Sequence, residues 1–150
     1  MSTLAERQVE QDRKIALAVS PDTAPDVLAT LACDANVAWV RWAVAENPAT
    51  PTSALTAQAV WGEANDDCAL LRRVAEHPAT APETLAHLAE LIAPQWLMPG
   101  LEFRWAVASH PNTPTATLEE WANRPGDAAG QRRAARNLAN RGAVASPTAR

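Results

Sequence analysis

The sequence contains no tyrosine and a single phenylalanine, so its aromatic chemistry rests on six tryptophans. Its two cysteines, Cys33 and Cys68, lie in unlike surroundings, which argues for reduced thiols over a disulfide or a metal site. Glycine is scarce, and there is no Gly-rich phosphate loop, no Gly-x-Ser-x-Gly elbow and no His-Glu-x-x-His pair; no enzyme is expected. No run approaches the ~18 apolar residues of a membrane span. Residues 5–14 are mostly polar where a secretory leader would place its apolar core. The expected compartment is the cytoplasm, without membrane association. Positive charge is also short: residues 1–122 carry 7 basic and 16 acidic side chains, and the net charge of −4 argues against a general nucleic-acid or anionic-membrane binder. Residues 123–150 reverse the balance, with six Arg against Asp127 alone.

What the chain has in quantity is alanine, leucine, valine and proline, and these are periodic. The phrase Ala43-Val44-Ala45-Glu46-Asn47-Pro48-Ala49-Thr50-Pro51 returns, altered, around Pro21, Pro78 and Pro111. The prolines are spaced by 27, 30 and 33 residues, a range that signals stacked repeats. Seven residues after each Pro stands Leu28, Leu55, Leu85 or Leu118. Three further on come Leu31, Gln58, Leu88 and Trp121, then Ala32, Ala59, Ala89 and Ala122. This i, i+3, i+4 stripe reads as one buried helical face. Thr23, Thr50, Thr80 and Thr113 stand where they would cap that short second helix, with Asp26 and Glu83 completing a capping-box pattern in two copies. Before the Pro, an Ala-x-Ala core reads as a first helix that the Pro stops. Each unit is therefore helix, Pro turn, short helix and loop, and no segment alternates with period two.

Residues 40–59 resemble the leucine-rich repeat variant family, whose units read roughly Val-Arg-x-x-Val-Ala-x-Asn-Pro-x-Thr-Pro-x-x-x-Leu-x-x-Leu-Ala. HEAT repeats are similar more loosely, through an Asp shortly before a basic residue: Asp34 with Arg41, Asp66 with Arg72 and Asp127 with Arg133. The resemblance implies an all-α, right-handed superhelical solenoid of two-helix repeats, an α-helix plus a short α or 3₁₀ helix, with no β-sheet. A member of that family holds an iron–sulfur cluster on clustered cysteines; Cys33 and Cys68 are not clustered, and no cofactor is expected. The expected division is a polar lead-in at 1–12 and one repeat domain at 13–137. Its units cover about 13–39, 40–69, 70–102 and 103–131, with a degenerate fifth at 132–145 that lacks the Pro and a flexible tail at 138–150.

The basic column of Lys14, Arg41 and Arg104, with Arg72 nearby, reads as an internal ladder to Asp residues and helix ends. His77 and His110 occupy the Asn47 position and read as turn-capping residues. Their units stand too far apart to share a zinc ion. Trp42, Trp105 and Trp121 are expected in the core. The main departure from the repeat is the insertion at residues 90–102, whose Trp96, Leu97, Met98 and Leu101 are candidate partner-binding residues. Arg132, Arg133 and Arg136 are the candidate anion contacts. The expected function is a non-catalytic protein–protein interaction scaffold with an unidentified protein partner, the alternative being a nucleic-acid-binding module that uses the Arg-rich end.

Overall fold

The computed structural model describes residues 2–34, 37–91 and 102–145. Among these residues the chain is helical with no strand: α1 (Leu4–Val19), α2 (Pro25–Asp34), α3 (Ala38–Glu46), α4 (Thr52–Ala64), α5 (Cys68–Glu76), α6 (Pro82–Glu90), α7 (Glu102–Ser109), α8 (Thr115–Asn123) and α9 (Ala128–Ala145). None of these helices is long and apolar enough to cross a membrane. The chain divides into two compact units, residues 1–80 and 81–150.

Proline sets the helix boundaries. α1, α3, α5 and α7 each stop two residues before Pro21, Pro48, Pro78 or Pro111. The intervening residue is extended where its angles are defined, with ψ between 122° and 126° at Ser20, Asn47 and His77. This is the conformation that a following proline ring imposes. The last copy has Leu138 where the Pro would stand, and α9 runs through it to Ala145. Residues 138–145, expected as tail, are therefore helix. At the other end, residues 4–12 of the expected lead-in belong to α1, which opens on a capping box between Thr3 and Glu6.

The threonine column works on the opposite helix end from the one expected. The hydroxyls of Thr23, Thr50, Thr80 and Thr113 donate to the carbonyls of Leu17, Val44, Val74 and Val107, each six residues back, at 2.5 to 2.6 Å. They therefore seal the C-terminus of the first helix. The second helices α4, α6 and α8 start from Pro51, Ala81 and Pro114 without a side-chain cap. These second helices are α-helical, with no 3₁₀ turn among the described residues.

In the first unit α1 packs on α3 and α3 on α5, while α2 packs on α4. In the second, α9 packs on both α7 and α8, and α6 on α7. The repeat columns supply the core. Leu28, Leu55, Leu85 and Leu118 are fully buried, as are Val44, Val74 and Val107. Each such side chain contributes about 1.5–3 kcal/mol by leaving water. Gln58 is equally buried in a column otherwise filled by Leu31, Leu88 and Trp121, and neither its oxygen nor its nitrogen has a hydrogen-bond partner.

Candidate functional site

The residues before Pro48 and Pro78 close their turns and reach back to the preceding copy. Asn47 Nδ2 donates to the carbonyls of Ala18 and Ser20, both at 2.8 Å, while its Oδ1 accepts from the Ala49 amide. His77 fills the same role. Its Nδ1 accepts from the Ala79 amide at 3.1 Å, so Nε2 carries the proton and donates to the Asn47 carbonyl at 2.9 Å. In the second unit Asn137 repeats Asn47: its Nδ2 donates to the Ala108 and His110 carbonyls at 3.0 and 2.9 Å. Asn137 thus makes the Asn47 contacts although no Pro follows it. The two histidines sit buried in their turns, and among the described residues no three His, Cys, Asp or Glu gather as a metal site.

The basic column forms contacts of two kinds. Arg41, only 4% exposed, donates to the Ala32 and Cys33 carbonyls at the end of α2, and its guanidinium lies 4.1 Å above the Trp61 ring. Burial lowers its pKa from the usual guanidinium range, a nearby Cys33 opposing. Arg104 pairs with Asp127 at 2.9 Å. Asp127 therefore faces Arg104, while the other oxygen of its carboxylate accepts from the Gly130 amide at the start of α9. Burial alone would raise the Asp127 pKa, but the Gly130 amide and the Arg104 guanidinium outweigh it and the net shift is downward. Asp67 stands equivalently before α5, accepting from the Leu70 amide and from Trp42 Nε1 at 3.0 Å.

Tryptophan and arginine also stack in both units. Arg73 lies 4.6 Å above the Trp42 ring, and Arg133 lies 4.6 Å above the Trp105 ring. This places Trp105 differently from its expected core position: it is 41% exposed and covered on one face by Arg133. Trp42 is half-buried, whereas Trp121 is in the core as expected. Trp39 is 65% exposed and meets Trp42 edge-on, with 4.9 Å between ring centroids.

Trp96, Leu97, Met98 and Leu101 lie outside the described residues. Arg132 and Arg136 are exposed on α9, and Arg133 is half-buried against Trp105. These three arginines line a small hollow with Ala129. Arg133 and Arg136 continue into a larger groove of about 650 Å³, bounded by Ser109, Pro111, Asn137, Asn140 and Arg141. Arg141 is already engaged, donating to the Pro111 carbonyl at 2.7 Å and to Asn137 Oδ1 at 3.1 Å. A second hollow, of about 270 Å³ between α6 and α8, has Glu90 and Glu120 against Arg124, which pairs with Glu120 at 3.5 Å. The α9 groove is the opposite: from Ala128 to Ala145 the helix carries Arg132, Arg133, Arg136 and Arg141 and no acidic residue. Such a site can hold an anionic group by charge-assisted hydrogen bonds. Asn137 escapes a reading anchored on prolines, since Leu138 stands where the Pro would be; the Asn one place before it is the available signal.

Comparison with protein-family models, curated proteins and solved structures finds no match, so the resemblance to leucine-rich repeat variants rests on the repeat residues alone.

Proposed function

We propose that the chain is a non-catalytic protein-interaction scaffold of the cytoplasm, built as a right-handed solenoid of leucine-rich-repeat-variant units. The observation that carries this reading is how the repeated polar residues are used. Asn47, His77, Asn137, the threonine column and Arg41 all turn inward to close turns and helix ends. The outward variation among the described residues is left to exposed tryptophan and to the arginines of α9. A scaffold that repeats its interior and varies its exterior suits recognition. The second reading, a nucleic-acid module using Arg132, Arg133 and Arg136, is favoured by the absence of any acidic residue along α9.

Affinity capture from source-cell extract, with and without nuclease and at low and high salt, separates the two. The scaffold reading expects a protein retained after nuclease treatment, with retention reduced by Trp96→Ala. Recovery of nucleic acid alone, lost on nuclease treatment and steeply weakened by salt, would overturn it in favour of the second.

A further inference from the structure

We propose that the α9 groove is a carboxylate-binding site for an acidic segment of a partner protein, opened by serine at position 109; this rests on the protein-interaction reading above. The first unit shows the site in its filled form. Arg73 stacks on Trp42, donates through NH1 to the Ala69 carbonyl at 2.9 Å and donates through Nε to Glu46 at 2.6 Å. The second unit repeats two of these three contacts. Arg133 stacks on Trp105 at the same 4.6 Å, and its NH1 points at the Ala129 carbonyl at 3.5 Å. The third contact is missing because Glu46, two residues before Pro48, corresponds to Ser109, two residues before Pro111. A serine side chain is too short to reach the guanidinium and brings no charge. In its place lies the groove, with Ser109 on one wall and Arg133 and Arg136 on the other.

Charge and order favour an incoming carboxylate. Asp127, the nearest acid in sequence, is held by Arg104 and by the start of α9. No acidic side chain among the described residues pairs with Arg133. Trp105 already fixes one face of the guanidinium, so less freedom is lost when a ligand docks. The first unit shows that this Trp–Arg arrangement accepts a glutamate carboxylate. A nucleic-acid backbone would need positive charge beyond α9, and residues 1–122 carry a balance of −9.

The test titrates the full chain with a labelled oligoglutamate peptide and, separately, with an oligothymidylate of equal charge, at low and high salt. Oligoglutamate is expected to bind, and Arg133→Ala to weaken it about tenfold or more, as loss of one charge-assisted contact implies. Ser109→Glu should abolish binding by supplying the carboxylate internally, and should raise the melting temperature, which a merely damaged fold would not do. Glu46→Ser should create a second site of the same kind, read as doubled stoichiometry. Oligoglutamate binding that is indifferent to Ser109→Glu, or absent at low salt, would overturn the proposal. So would tighter binding of oligothymidylate that depends on Arg132 and Arg136 but not on Ser109. If oligoglutamate fails while a nuclease-resistant protein is still captured, the groove assignment falls and the scaffold reading stands; if no protein is captured either, both fall.

Discussion

Asn47-Pro48-Ala49-Thr50 in the first unit and Asn137-Leu138-Ala139-Asn140 in the second begin with the same pair of backward hydrogen bonds and continue as different structures. After Asn47 the chain turns, and Thr50 seals the end of α3. After Asn137 it stays helical for eight more residues, to Ala145. The asparagine therefore specifies where a copy docks on its predecessor, and the proline specifies where its helix stops. The two functions are separable because they use different atoms: a side-chain amide for docking, and a missing backbone amide for stopping. The same column-by-column comparison exposes the other exchanges between the units, Glu46 for Ser109 and Gln58 for Leu88.

The sharpest way to break the comparison is Leu138→Pro. Within α9 the ring removes a helical hydrogen bond and collides with the Ala134 carbonyl, so a loss of about 3 kcal/mol or more is expected, read by thermal denaturation. Adding Asn140→Thr restores the whole four-residue phrase, and its hydroxyl can then donate to Ala134 as Thr50 does to Val44. The double variant should recover part of the loss while its far-ultraviolet dichroism shows a shorter helix. No recovery would mean that the turn needs more than the phrase.

Next in size is Asn47→Ala, which strands the buried Ala18 carbonyl and the part-buried Ser20 carbonyl and should cost about 2–3 kcal/mol in chemical denaturation. Asn137→Ala should cost roughly half as much, because its side chain is only half-buried and Arg141 also approaches the His110 carbonyl, at 3.4 Å. Equal losses would show that the two asparagines are not graded by burial. In the opposite direction, Gln58→Leu should stabilise the protein by about 1–2 kcal/mol, since an apolar residue replaces an amide with no partner. Leu88→Gln, the reciprocal exchange, should destabilise. If Gln58→Leu lowers the melting temperature, the amide has a structural use that its surroundings do not reveal.

The smallest effect expected is a pH dependence. The folded pKa of Asp127 is depressed, so its contribution is fully present above the unfolded value of about 3.9 and is lost as pH falls through the lower, folded value. Asp127→Asn should therefore be less stable than the parent at neutral pH, and the two should converge in acid. A gap that persists at the acid end would assign the effect to geometry rather than charge.

The sequence disclosed the buried leucine and valine columns and the proline stops, since both follow from period and ring chemistry alone. Thr50 reads as a cap of the second helix yet closes the first, for a physical reason. Its hydroxyl is both donor and acceptor, and the carbonyls of α3 and the first amides of α4 lie within a few residues of it. Only the fold chooses between them. Trp105 shares a column with Ile15 and Trp42, which suggested the core, but the cation over its face makes a half-exposed ring tolerable. The Ser109 exchange was legible from the alignment; what it opens required knowing that Arg73 and Glu46 touch.

The turn-closing bonds have a direction. In each the donor belongs to a later residue and the acceptor to one 27 to 30 positions earlier: Asn47 to Ala18 and Ser20, His77 to Asn47, Asn137 to Ala108 and His110. On a ribosome the Ala18, Ser20, Asn47, Ala108 and His110 carbonyls therefore emerge before the side chains that seal them, whereas the Ala79 carbonyl meets Thr52, which is already made. Shortening the chain from its C-terminus far enough to remove Asn137 therefore opens the Ala108 and His110 carbonyls and leaves those of Ala18, Ser20 and Asn47 closed.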